Sequence, residues 1–125
     1  MWYRYSMIRR VSLVILFDGD KVLVGEKPSG FWIPGGHANS GESSKDAAIR
    51  ELKEETNLDL SNLKLFYSKI TENKIVDVYV CNEFSGESKA DDDLEEVHWF
   101  SVNELPEMRL DGNELVQKAY KEICL

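Results

Sequence analysis

Two cysteines, three prolines and two histidines are all that 125 residues carry of those types, and each scarcity excludes something. Cys81 and Cys124 have neither the spacing of a zinc knuckle nor the number of a disulfide framework. Cys81 reads as a small apolar strand residue and Cys124 as a terminal thiol, and a reducing cytoplasm fits both. No apolar run is long enough to cross a bilayer, which argues against a membrane partner. The N-terminal MWYRYSMIRR is mixed aromatic and basic and lacks the apolar centre of a signal peptide. Basic residues are also short, at 15 against 23 acidic ones for a net charge of −8. Such a surface repels a nucleic-acid polymer, but it admits a small nucleotide, because bound cations screen the repulsion locally. Internal repeats and low-complexity stretches are absent. What is present is a hydrophobic fraction of 42%, enough for one packed core, and a single domain spanning 1–125 is expected.

The β-branched and aliphatic run at 11–17 predicts a buried strand. Asp18-Gly19-Asp20 supplies turn chemistry, and 21–26 returns as the partner of a hairpin. Pro28-Ser29-Gly30 breaks that strand, and Phe31-Trp32-Ile33 forms a short extended stub. Pro34-Gly35-Gly36 then predicts a tight turn that lets a ligand approach the backbone closely. Ser43 or Ser44 caps a helix that runs to about Thr56. Asn57 suits a left-handed cap just beyond its end. Residues 63–70 and 75–84 read as strands joined across Thr71-Glu72-Asn73-Lys74. Residues 86–93 read as a polar loop, 97–102 as a strand containing Trp99, and Asn103-Glu104-Leu105-Pro106 as a turn. A second helix is expected over 111–123, with Leu115, Val116, Ala119, Tyr120 and Ile123 at helical spacing. The order β-β-β-α-β-β-β-α predicts an α/β protein with a mixed sheet and helices on both faces.

The densest chemistry lies in GGHANSGESSKDAAIRELKEETNL, from Gly35 to Leu58. On a wheel of about 100° per residue, Glu51, Glu54 and Glu55 fall within one arc. Ala48, Ile49, Leu52 and Thr56 fill the adjacent arc, which should face the sheet. Like charges at these spacings repel, and a hard divalent cation such as Mg²⁺ reverses that sign. Arg50, with its planar fork, is placed to hold one of these carboxylates or Glu42. RELKEE alone reads equally well as a solvated charged helix face. Gly36, six positions before Glu42, and Glu42, eight before Arg50, add independent requirements that a plain surface helix does not have.

Gly36, Glu42, Arg50, Glu51, Leu52, Glu54, Glu55 and Leu58 together resemble the Nudix box. Asn57, where the family has glycine, is the one departure, and asparagine tolerates the left-handed backbone that position requires. Trp32-Ile33-Pro34-Gly35-Gly36 and Trp99-Phe100 are similar to the family's flanking sequence. The resemblance implies an α/β/α sandwich and hydrolysis of a nucleoside diphosphate linked to a group X. It implies Mg²⁺ as cofactor, with Mn²⁺ as a substitute, held by Glu51, Glu54, Glu55 and the carbonyl of Gly35 or Gly36. It makes Glu51, Glu54 and Glu55 candidate bases, Arg50 an orienting residue and Glu42 a brace for the loop. A further acid is expected from a late loop, where Asp91, Asp92, Asp93, Glu95 and Glu96 are candidates and Glu96 or Glu95 is preferred. A solvated acidic loop is the plainer reading of any one of them.

The expected substrate is a nucleoside triphosphate, cleaved to a monophosphate and pyrophosphate. Asp111-Gly112-Asn113-Glu114 is similar to the MutT-type branch, in which an asparagine at this helix start reads an oxidised purine. Asn113 offers a donor and an acceptor to a base edge, and a simple helix cap is the plainer reading of it. Trp32, Phe31 and Tyr79 are candidates for stacking on a base, with core packing the alternative for each. Gly25-Glu26-Lys27 departs from the arginines of that branch. ADP-ribose, a dinucleoside polyphosphate or a nucleotide sugar is the alternative substrate, and a non-catalytic nucleotide-binding module is the alternative to an enzyme. The expected state is a monomer or a homodimer, with the aromatic N-terminal segment, residues 1–7, as a dimer contact.

Overall fold

A computed structural model describes residues 8–87 and 96–123. The elements run β1 (Arg9–Asp18), β2 (Lys21–Lys27), β3 (Gly30–Trp32), β4 (Gly35–His37), α1 (Ser44–Thr56), β5 (Asp59–Ser61), β6 (Lys64–Ile70), β7 (Lys74–Cys81), β8 (Glu83–Ser85), β9 (Glu96–Ser101) and α2 (Gly112–Ile123). Cys124 and the N-terminal segment 1–7 lie outside the described residues.

The main sheet has the strand order β3-β2-β1-β7-β6, with β4 also paired to β1 and β9 to β2. β1 and β7 run parallel from Arg9↔Lys74 to Leu16↔Cys81, and the other pairs are antiparallel, so the sheet is mixed as expected. β7 occupies one edge of β1. The other edge is shared between β4, opposite Val11 to Leu13, and β2, opposite Phe17 and Asp18.

Side chains alternate across a strand, and β1 serves two cores in this way. Ile15 and Phe17 pack with Val22, Val24, Val78 and Val80 beneath Val116 and Ala119 of α2. Val14 and Leu16 pack with Leu23, Tyr79 and Cys81 beneath Ala48 and Leu52 of α1. Three layers result, helix on sheet on helix. Tyr79, considered for base stacking, is a core residue of the α1 side.

α1 is bounded by local chemistry. Ser43 is its N-cap, with Oγ accepting from the Asp46 N–H at 3.1 Å. Asn57 closes the other end at φ 65°, and its N–H donates to the Lys53 carbonyl. Two expectations needed correction. Gly35 and Gly36 do not make a free turn; they form β4, paired with Leu13 and Ser12. Residues 75–84 are not one strand, because β8 leaves the main sheet to pair with β5 in a separate ladder.

Candidate active site

β4 and α1 bring the charged residues together. Gly35 has φ 151°, and a Cβ there would lie 2.0 Å from the Ser12 carbonyl oxygen. A Cβ on Gly36 would lie 2.4–2.8 Å from the Glu51 carboxylate atoms. Only a residue without a side chain at position 36 lets α1 sit this close, so Glu51 rests directly against the Gly36 backbone. Glu55 reaches the same strand from the next turn of the helix. It is 6% exposed, and its Oε1 accepts from the Gly35 N–H at 3.1 Å.

Arg50 organises the outer side. Its Nε and Nη2 donate to the two carboxylate oxygens of Glu42 at 2.8 and 3.0 Å, a bidentate fork. Nη2 also donates to the His37 carbonyl at 2.9 Å. Nη1 donates to Glu51 at 3.1 Å and to both oxygens of Glu54 at 3.1 Å. The Arg50 fork, seconded by the Asn39 N–H, holds the Glu42 carboxyl below its ordinary range. The Glu42 contact in turn raises Arg50 above its ordinary value, so the guanidinium stays charged. The loop ahead of the helix is thereby tied to the helix itself.

A cleft of about 530 Å³ runs from Glu51, Glu55 and Gly36 past Trp32 to Leu110. Through Leu13, Lys74, Val76 and Leu110 it adjoins a second cavity of about 310 Å³ between β6, β7 and the start of α2. Trp32 lies beneath the Arg109 guanidinium, 4.3 Å from the ring centroid, with Lys27 Nζ at 5.6 Å. Its indole Nε1 is buried with no acceptor among the described residues. Leu110 and Asp111, at φ 55° and 60°, set an exposed leucine on the lip. Neither Arg109 nor Leu110 was found from sequence. Two successive left-handed non-glycine residues leave no compositional trace, and a stacked arginine has no spacing rule.

Other candidates fall elsewhere. Asn113 Oδ1 accepts from the Met108 N–H at 2.8 Å, and its Nδ2 donates to the Pro106 carbonyl at 2.7 Å, so both ends of the amide serve the turn before α2. Phe31 packs edge-on against Phe100 at 5.7 Å. Glu96 opens β9 opposite Glu26. The Glu96 side chain lies outside the described residues, as do Asp91, Asp92, Asp93 and Glu95.

Glu51 and Glu55 offer hard oxygen donors on one wall of the cleft, beside a backbone with no side chain at Gly36, and such a donor set suits Mg²⁺ or Mn²⁺. Among the described residues, however, no three acidic, His or Cys side chains converge on one point. Arg50 draws Glu51 and Glu54 to its own side of the helix.

A short glycine strand therefore lies under a glutamate helix that is braced by an arginine fork. The NUDIX domain model matches residues 7–122. The chain belongs to the Nudix hydrolase family, whose members generally use a divalent metal and act on nucleotides. It is 32% identical over 111 residues to the uncharacterized Nudix hydrolase YvcI of Bacillus subtilis, covering 80% of this chain and 70% of that protein. It is 33% identical over 93 residues to an ADP-ribose pyrophosphatase of Methanocaldococcus jannaschii, covering 70% of this chain but only 55% of that protein. A Danio rerio oxidized purine nucleoside triphosphate hydrolase is 30% identical over 107 residues, covering 77% and 68%. The crystal structure of the MutT protein of Bacillus halodurans superposes with a TM-score of 0.77 at 26% identity, covering 88% of this chain and 80% of that one. Among the described residues no helix is long and apolar enough to cross a membrane.

Proposed function

We propose that the chain hydrolyses a nucleoside diphosphate linked to X, with a nucleoside triphosphate as substrate and a nucleoside monophosphate and pyrophosphate as products. The observation that carries this is the joint presence of Glu51, Glu55 and the Gly35–Gly36 backbone on one wall of a cleft large enough for a nucleotide. Glu51, Glu54, Glu55 and the Gly36 carbonyl would hold a divalent cation. When bound, that cation neutralises phosphate oxygens and favours ionisation of water.

The remaining work falls to the protein. Arg50 fixes the rotamers of Glu51 and Glu54. The Gly35 N–H fixes Glu55. One of these carboxylates takes a proton from the attacking water, whose oxygen bonds to phosphorus as the bridging P–O bond breaks. Trp32, on the wall of the same cleft, is the proposed contact for the organic part of the substrate. Glu96, which opens β9 beside the Lys27 end of β2, is the proposed late acid.

A second reading is cleavage of another diphosphate, such as ADP-ribose, a dinucleoside polyphosphate or a nucleotide sugar. The Methanocaldococcus relative favours it, as does Asn113, which is engaged within its own turn and does not line the cleft. A panel of these substrates with and without Mg²⁺, with products identified, tests both. Pyrophosphate and a monophosphate support the first reading, and a nucleotide released with a sugar phosphate or a second nucleotide, without pyrophosphate, supports the second. Tight binding without Mg²⁺-dependent turnover would make the chain a binding module.

A further inference from the structure

The two halves of the site sit on different elements, so their separation has to be fixed by something between them. One transverse row of the sheet lies there. Gly36 on β4 pairs with Ser12 on β1, Ser12 with Asp77 on β7, and Asp77 with Ser68 on β6. Ser12 alternates with Val11 and Leu13 and shares its face with Val14 and Leu16, so the row lies beneath α1.

The hydrogen bonds run from that row into the helix. Ser12 Oγ donates to the Ser44 carbonyl at 2.8 Å and lies 2.9 Å from Ser44 Oγ. Ser44 Oγ donates to Asp77 Oδ2 at 2.6 Å, and Ser68 Oγ donates to Asp77 Oδ1 at 2.7 Å. Arg10 Nε stands 3.6 Å from Oδ2. Ser12, Ser44 and Asp77 are all buried. Ser44 is the first residue of α1, so the carboxylate also faces the positive end of the helix dipole. A buried carboxylate is costly unless its partners satisfy it, and apolar packing would be a cheaper way to dock a helix. What the polar row provides instead is direction, since hydrogen bonds fix the helix start in height and rotation where apolar contacts let it slide.

We propose that Asp77, through Ser44 and Ser12, is a positioning residue that seats α1 over Gly36 and thereby sets the affinity of the glutamates for a divalent cation. The proposal rests on the metal-binding role proposed above for Glu51, Glu54 and Glu55. Ser44 lies seven residues before Glu51, about 10 Å along the helix. A tilt of about 5° pivoted at Ser44 moves Glu51 by about 0.9 Å, which exceeds the roughly 0.5 Å tolerance of a preorganised site.

The test is Mn²⁺ titration by electron paramagnetic resonance on the full chain, comparing wild type with Asp77→Asn, Ser44→Ala and Ser44→Thr. Thermal unfolding is recorded alongside, and all are compared at a temperature where each is folded. Asp77→Asn and Ser44→Ala are expected to weaken Mn²⁺ binding roughly 10–100-fold, the usual effect of disturbing the support of a metal ligand. kcat should fall with it, while KM for the nucleotide moves less than about threefold. Ser44→Thr, which keeps the hydroxyl, should restore wild-type affinity. Variants that melt earlier but bind Mn²⁺ within about twofold of wild type would overturn the proposal and leave the row a purely structural feature. If Asp77→Asn does not fold, Ser44→Ala and Ser12→Ala, each lacking one hydroxyl, decide by the same criterion. A wild-type chain that binds no Mn²⁺ would overturn the metal reading itself, and this proposal with it.

Discussion

α1 and α2 cover opposite faces of one sheet, yet they bury different things. α2 buries Gly112, Val116 and Ala119 against Ile15, Phe17, Val22 and Val24. α1 buries Ala47, Ala48 and Leu52, but also Ser44, Glu55 and Thr56. Beneath α2 the strands offer valines and aromatic rings. Beneath α1 they offer Ser12 and Asp77 as well. Burying polar groups costs free energy unless each is paired, and here the pairs are specific: Ser44 with Asp77, Glu55 with Gly35. The α2 face is built for stability, and the α1 face gives up some stability to hold carboxylates against a bare backbone.

That contrast breaks if the α1 carboxylates prove dispensable. Glu54→Gln or Glu55→Gln is expected to lower kcat by roughly 10²–10⁴-fold, the range for loss of a catalytic proton acceptor. Circular dichroism should show the fold intact, and an unchanged rate in both variants would remove them from the mechanism. Gly36→Ala comes next. Its methyl must displace the Glu51 carboxylate, and kcat/KM should drop about 10²-fold, as an ångström-scale misplacement does. A normal rate would show that close contact between β4 and α1 is not required.

The α2 face should respond in the opposite sense. Val116→Ala empties a fully buried position and should cost roughly 2 kcal/mol in urea unfolding while leaving KM and kcat near wild type. A large kinetic defect would mean the two faces are not separable. The smallest effect concerns Glu42. Its carboxyl is lowered in the folded chain, so the stability it contributes is fully present above its ordinary value of 4.5 and is lost as pH falls through the lower native value. The melting temperature of Glu42→Gln should therefore fall less steeply below pH 4.5 than that of wild type. Parallel curves would remove the Arg50–Glu42 fork as a source of acid sensitivity.

Much of this was legible in the chain because it is local. The strand at β1, the hairpin to β2, the Ser43 cap and the left-handed Asn57 all follow from neighbours a few residues apart. The clustering of Glu51, Glu54 and Glu55 on a helix is fixed by 3.6 residues per turn. The family could be recognised for the same reason, since its box is a contiguous stretch.

The rest depends on which strands meet. Gly35 and Gly36 look like a turn in sequence, and pairing with β1 makes them a strand. Asn113 looks available to a ligand, and the turn from Pro106 to Met108 takes both ends of its amide. Ser12, Ser44, Ser68 and Asp77 carry no motif, being separated by up to 65 positions. Only the parallel pairing of β1 with β7, and the packing of α1 across both, brings them into one row. Sequence fixes what a residue can donate or accept, and tertiary structure decides with what, because hydrogen bonds and ion pairs act over about 3 Å whatever the distance along the chain.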